Sequence, residues 1–139
     1  MEQPGVVDCG GGTGSLAAGG GPLTLAGSFP AQVDRSGGGT FAGTVTATAT
    51  GEPVSGVASP EADVYVTRSG EVVATPLPKD LLGVAIDLAP GDSREFAASG
   101  SLRHCRTDAP LPPGRYEVYA VVGVEGVVSS GGPWPIDVI

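Results

Sequence analysis

The residues best able to do chemistry by themselves are Cys9, His104 and Cys105, the only two cysteines and the only histidine of the chain. Hydrolysis through a nucleophile, a base and an orienting acid needs an imidazole or an equivalent base in a pocket. His104 instead falls in a polar stretch between Arg103 and Cys105 and reads as a solvated side chain. Two cysteines and one adjacent histidine are one ligand short of a closed tetrahedral zinc site, so no metal and no cofactor is expected. The cysteines admit three readings. A Cys9–Cys105 disulfide leads; a lipidated Cys9 tethered by Gly10, Gly11, Gly12, Thr13 and Gly14 is the second, and a pair of unpaired buried thiols is the third. Asp8 fits the lipid reading poorly, because a lipid-attachment signal wants a small residue there. A disulfide would close a loop of nearly the whole domain, worth about 4 to 5 kcal/mol in the chain-entropy model, and would point to an oxidising compartment.

Oxygen ligands are more numerous. Asp87, Asp92 and Glu95 lie around one turn and could hold calcium, although acids at a turn are ordinarily there to be solvated. Any two of the 15 acids could be brought together for glycoside cleavage, but only 1 Trp, 3 Tyr and 3 Phe are present, leaving few platforms on which to stack a sugar. No Gly-x-Ser-x-Gly elbow occurs, and the glycine-rich start is followed by no Lys-Ser or Lys-Thr that would make it a phosphate cradle. The chain is read as non-catalytic.

Two surface features remain. In Pro76, Leu77, Pro78, Lys79 and Asp80, continued by Leu81 and Leu82, two prolines stiffen a loop around the sole lysine. A serine-proteinase inhibitor presents such a rigid, substrate-like loop, whose low entropy cost favours tight binding, so this is a candidate binding loop. Thr44, Thr46, Thr48 and Thr50 form one file of hydroxyl and methyl groups, which is also the ordinary choice for a wet sheet face.

The 15 acidic residues against 7 basic ones give a net charge of -8, which disfavours unassisted binding to nucleic acid or to an anionic membrane. No run approaches the roughly 20 apolar residues of a spanning helix, so membrane insertion is not expected. Six of the basic residues are Arg and one is Lys, which with the Ala, Gly, Val and Pro load fits a GC-rich, bacterial coding bias. The opening Met1-Glu2-Gln3-Pro4 suits a chain begun just after a removed signal peptide, but a cytosolic protein could start the same way. With a disulfide, the expected location is extracellular or at the cell surface, and the expected partner another protein or a cell-surface component.

The elements that must position these residues are strands. Interruption of the 139 residues by 24 Gly and 13 Pro leaves no window with helical apolar spacing over three turns. The most informative stretch runs from Leu111 to Val124. Pro112 and Pro113 fix their own φ and remove two donors, Gly114 can take a positive φ, and Tyr116, Val118, Ala120, Val122 and Val124 then alternate along one face. The opposite row opens with Arg115, Glu117 and Tyr119, wet near the turn and drier beyond it. A tyrosine just inside a strand after such a corner anchors it by a backbone hydrogen bond in β-sandwiches, so Pro113, Gly114 and Tyr116 are read as a structural corner.

Further strands are expected over 23–29, 40–50, 62–68, 71–74, 84–88, 93–102 and 134–139, with Ser69-Gly70 as a tight hairpin loop and a short return strand beginning at Val54. Residues 1–21 read as a glycine-rich lead-in, pinned if Cys9 is bonded, and 22–139 as one domain. The expected fold is all-β, an immunoglobulin-like β-sandwich of seven to eight antiparallel strands.

Three segments carry a family resemblance. Thr44 to Val54 resembles the strand, turn and Pro-Val opening of bacterial immunoglobulin-like domains, and Leu88 to Phe96 with Leu111 to Val118 resembles their paired Pro-Gly corners. The chain is similar in this respect to domains of the BsuPI-type intracellular proteinase inhibitor family, over roughly Thr40 to Ile139, with Ala49 where the family has Asn. The resemblance implies an immunoglobulin-like fold and proteinase inhibition, for which the Pro76 to Leu82 loop is the candidate on the strength of its own residues. The residues themselves favour a non-catalytic binding or structural module, with the inhibitor as the alternative.

Overall fold

Strands separated by turns dominate the computed structural model, which describes residues 7–17, 21–34, 39–77, 83–125 and 127–139. Among them, one helical turn, α1 (Gly14–Ala17), precedes ten strands. These are β1 (Leu23–Ser28), β2 (Gln32–Val33), β3 (Thr40–Ala49), β4 (Val54–Ala58), β5 (Asp63–Arg68), β6 (Glu71–Ala74), β7 (Val84–Leu88), β8 (Ser93–Ser101), β9 (Gly114–Val124) and β10 (Val127–Val138). The all-β, immunoglobulin-like class expected from the alternation is the one observed.

Two sheets face each other. The smaller is antiparallel in the order β1-β3-β8, with Leu25 opposite Ala47 and Val45 opposite Phe96. In the larger sheet β9 is central. One edge of β9 pairs with β10; the other is shared by β5, along Glu117 to Val121, and by the end of β4, where Ala58 meets Val124. β6 lies outside β5, and β7 outside β4. Alternation places the inward rows between the sheets. Phe41, Val45, Ala47, Ala49, Phe96 and Ala98 meet Val64, Val66, Tyr116, Val118, Ile136 and Val138 in one core cluster. Burial of each large apolar side chain contributes about 1.5 to 3 kcal/mol, the main term opposing chain entropy. The β5-β6 hairpin turns through Ser69 and Gly70 at φ 53° and 77°, the pair of positive values that matches strand twist.

Two features depart from the expected strand list. β10 runs through Gly131, Gly132 and Pro133 as one strand, not as a new strand from Trp134, because a register shift between Gly131 and Trp134 absorbs the proline that cannot donate to the ladder. The two-residue β2 pairs in parallel with β10, Gln32 with Asp137 and Val33 with Val138, whereas the other pairs of named strands are antiparallel. With the return strand at Val54 formed as β4, the added β2 brings the described strands to ten, above the seven to eight expected.

The outer face of the larger sheet has its own core. Tyr65, Val72, Tyr119 and Val121 are buried there beneath Val7 and Leu16, with Val128 packed alongside. Part of the glycine-rich lead-in therefore supplies a hydrophobic cover. Gly10 N donates to Val72 O and Val72 N to Gly11 O, both at 2.9 Å, fixing this segment against β6.

Candidate functional site

The chemistry-bearing residues converge at the end of β6. Backbone bonds bring Cys9 and Cys105 there from distant parts of the sequence: the Gly10 and Gly11 bonds to Val72 hold one, and Cys105 N donates to Val73 O at 2.8 Å to hold the other. The two form a disulfide across 96 residues with Cα atoms 5.9 Å apart, inside the range that bridged cysteines occupy. The lipidated and unpaired-thiol readings are thereby set aside for this structure. Arg106 Nη2 donates to Cys9 O at 3.3 Å and closes the same junction from outside.

His104 is half-buried beside the disulfide. Its backbone is fixed twice, His104 N donating to Ala109 O and Asp108 N to His104 O, both at 2.8 Å. The ring's Nδ1 accepts from Arg106 N at 3.1 Å. Arg103 crosses the turn, donating from Nη1 to Asp108 O at 2.8 Å. Around these residues lies an open cleft of about 290 Å3, lined also by Thr75, Pro76 and Leu77. The first two residues of the candidate binding loop thus start from the disulfide junction; Pro78, Lys79 and Asp80 lie outside the described residues. With both sulfurs in a covalent bond, the cleft presents an imidazole and hydrogen-bonding groups but no thiolate nucleophile.

At the Pro-Gly corner Tyr116 is buried, and its Oη donates to Pro112 O at 2.6 Å. Gly114 takes φ 148°, and a Cβ there would lie 2.8 Å from Arg68 Nη2. Arg68 stacks 5.0 Å from the Tyr116 ring centroid and donates from Nη1 to Tyr116 Oη at 3.1 Å. The sequence pointed to the tyrosine but not to Arg68, which arrives from a strand 48 positions away.

The other candidates do not converge. Asp92 Oδ2 accepts from Ala89 N at 3.1 Å and caps its own turn. Asp87 lies on β7 of the larger sheet and Glu95 on β8 of the smaller, so the three acids form no calcium cage. Thr44, Thr46 and Thr48 point outward from β3, half-buried among neighbours, with Thr48 Oγ1 2.7 Å from Ser93 Oγ. Tyr65 was not singled out by sequence. Its hydroxyl accepts from Val7 N at 3.3 Å, and burial pushes its pKa above the ordinary 10.0, with Asp63 and Asp8 adding to the rise and the Val7 bond opposing it.

No family model matches the chain, and no curated protein matches it. Among solved structures it is similar to an alkylpurine DNA glycosylase of Pseudomonas fluorescens bound to DNA containing an abasic site analog, at 20% identity and TM-score 0.50. That match covers 91% of this chain but 33% of the glycosylase. A β-glucosidase of Listeria innocua in complex with isofagomine matches at 14% identity and TM-score 0.44, over 85% of this chain and 16% of that one. The CARDB domain of a Pyrococcus furiosus protein matches at 16% identity and TM-score 0.38, over 85% of this chain and 94% of that domain. The glycosylase likeness shows the fold alone: a β-sandwich of this size, which there makes up about a third of a longer chain.

Proposed function

We propose that this chain is a non-catalytic immunoglobulin-like binding or structural module of a secreted or surface-associated bacterial protein. The observation that carries the reading is the Cys9–Cys105 disulfide, which fastens the segment covering the outer sheet face to the body of the sandwich. Such a staple persists in an oxidising compartment and is removed by cytosolic reductants. A module of this kind engages another protein or a cell-surface component through its loops or a sheet face. The net charge of -8 opposes the counterion-release term that drives nucleic-acid binding, so the DNA held by the glycosylase is not carried over. Fractionation of source cells tests the reading: the protein is expected in the medium or at the surface with its thiols blocked by oxidation, and a reduced, cytosolic pool would refute it.

Serine-proteinase inhibition through the Pro76 to Leu82 loop is the second reading. It is supported by the anchoring just ahead of the loop, where Cys105 N bonds to Val73 O three residues before Pro76. Residual trypsin activity measured against increasing protein should then fall to near zero at about one equivalent, and Lys79→Ala should remove the effect. Full activity in a large excess of protein would end this reading.

A further inference from the structure

Among the described residues, only Cys9, His104 and Cys105 form a group of three or more His, Cys, Asp or Glu side chains close enough to share an ion, their ligand atoms all lying within 4.8 Å of one another. We propose that in the reduced protein these three residues bind a thiophilic metal ion such as Zn2+. The reason lies in what holds them. Cys9 is positioned through Gly10 and Gly11 on Val72, Cys105 through its own N–H on Val73, and His104 through Ala109 and Asp108. None of these hydrogen bonds depends on the sulfur–sulfur bond, so breaking it leaves two sulfurs and an imidazole side by side.

The donor set has the right chemistry. Thiolates and imidazole suit zinc, and open zinc sites use three protein ligands with water in the fourth position. Bonds of about 2.0 to 2.3 Å place tetrahedral ligand atoms roughly 3.5 to 4 Å apart, which these side chains reach by small shifts once the sulfurs separate. A dithiol reductant delivers two electrons and two protons, closing its own disulfide as the Cys9–Cys105 bond opens to two thiols. Zn2+ then forms two Zn–S bonds, releasing both thiol protons to solvent, and the imidazole donates one nitrogen lone pair. Ligation releases the 3.1 Å bond from Arg106 N to Nδ1, on a turn where water replaces it. All three ligands are half-buried, accessible to the reductant and to the ion.

The test is a titration of the full chain, reduced with a phosphine and kept anaerobic, with Co2+ as the spectroscopic probe and Zn2+ as competitor. The expected result is one Co2+ per chain with near-ultraviolet sulfur-to-cobalt absorption, displaced by Zn2+ and absent in the oxidised protein. His104→Ala, whose fold is checked in its oxidised form, should weaken the affinity at least tenfold. Folded reduced protein without that absorption, or equal affinity in His104→Ala, would overturn the proposal. So would loss of the β-sheet circular dichroism on reduction, because the site requires the backbone to hold its ligands.

Discussion

Several separate interactions meet on Tyr116: it is buried against the main core, bonded to Pro112 O at 2.6 Å, and stacked beneath Arg68. Tyr116→Phe keeps the ring and removes the hydroxyl that both partners use, leaving the Pro112 carbonyl without its donor. Urea unfolding should show a loss of about 1 to 2 kcal/mol with an unchanged denaturant slope. Tyr65 gives a pH signature. Its folded pKa is raised above 10.0, chiefly by burial, so the native state keeps a proton that the unfolded chain releases. Its contribution is fully present below pH 10.0 and is lost as the pH climbs from there through the folded value. Stability measured from pH 9 to 11 should fall, and Tyr65→Phe should flatten part of that fall. The corner tyrosine was legible in the sequence because Pro112, Pro113 and Gly114 announce it. Tyr65 and Arg68 were not, since their partners Val7 and Tyr116 are 58 and 48 positions away and no local pattern encodes such a contact.

At the scale of elements, alternation made β3, β9 and the β5-β6 hairpin readable, because a period of two with one buried face has a single solution once the turns are marked. β10 was harder: Gly131, Gly132 and Pro133 carry turn chemistry, yet the strand passes through them by shifting register. β2 is too short to show a period. The role of Leu16 was hidden for a different reason. A lone leucine among glycines has no amphipathic pattern, but it is fully buried over Tyr119 and Val121. Leu16→Ala should therefore cost about 2 to 5 kcal/mol, as a core residue does, and not the few tenths expected of a loose tail. Chemical denaturation decides between them. In the hairpin, Ser69 occupies the first of two positive-φ positions, where asparagine is better suited. Ser69→Asn should raise the melting temperature slightly, while Gly70→Ala should lower it.

For the molecule as a whole, two sheets supply the core, and the disulfide adds a covalent tie to the backbone bonds that hold the first described residues against it. The sequence could reduce the cysteines to three readings but could not choose by geometry; the choice came from β6, whose neighbouring Val72 and Val73 carbonyls receive one segment each. The candidate loop from Pro76 was legible as a stiff loop, whereas its origin beside Cys105 required the fold. A staple across 96 residues restricts the unfolded chain severely, and its removal should lower stability by about 4 to 5 kcal/mol, or about 10 to 20 °C in melting temperature. The most direct measurement is the intact mass with and without alkylation before reduction, paired with melting curves of both redox forms. A mass two hydrogens light, no alkylation until reduction and a melting temperature lowered on reduction are the expected results for a disulfide-stapled module. Two thiols alkylated without reduction, with melting unchanged by reductant, would contradict it.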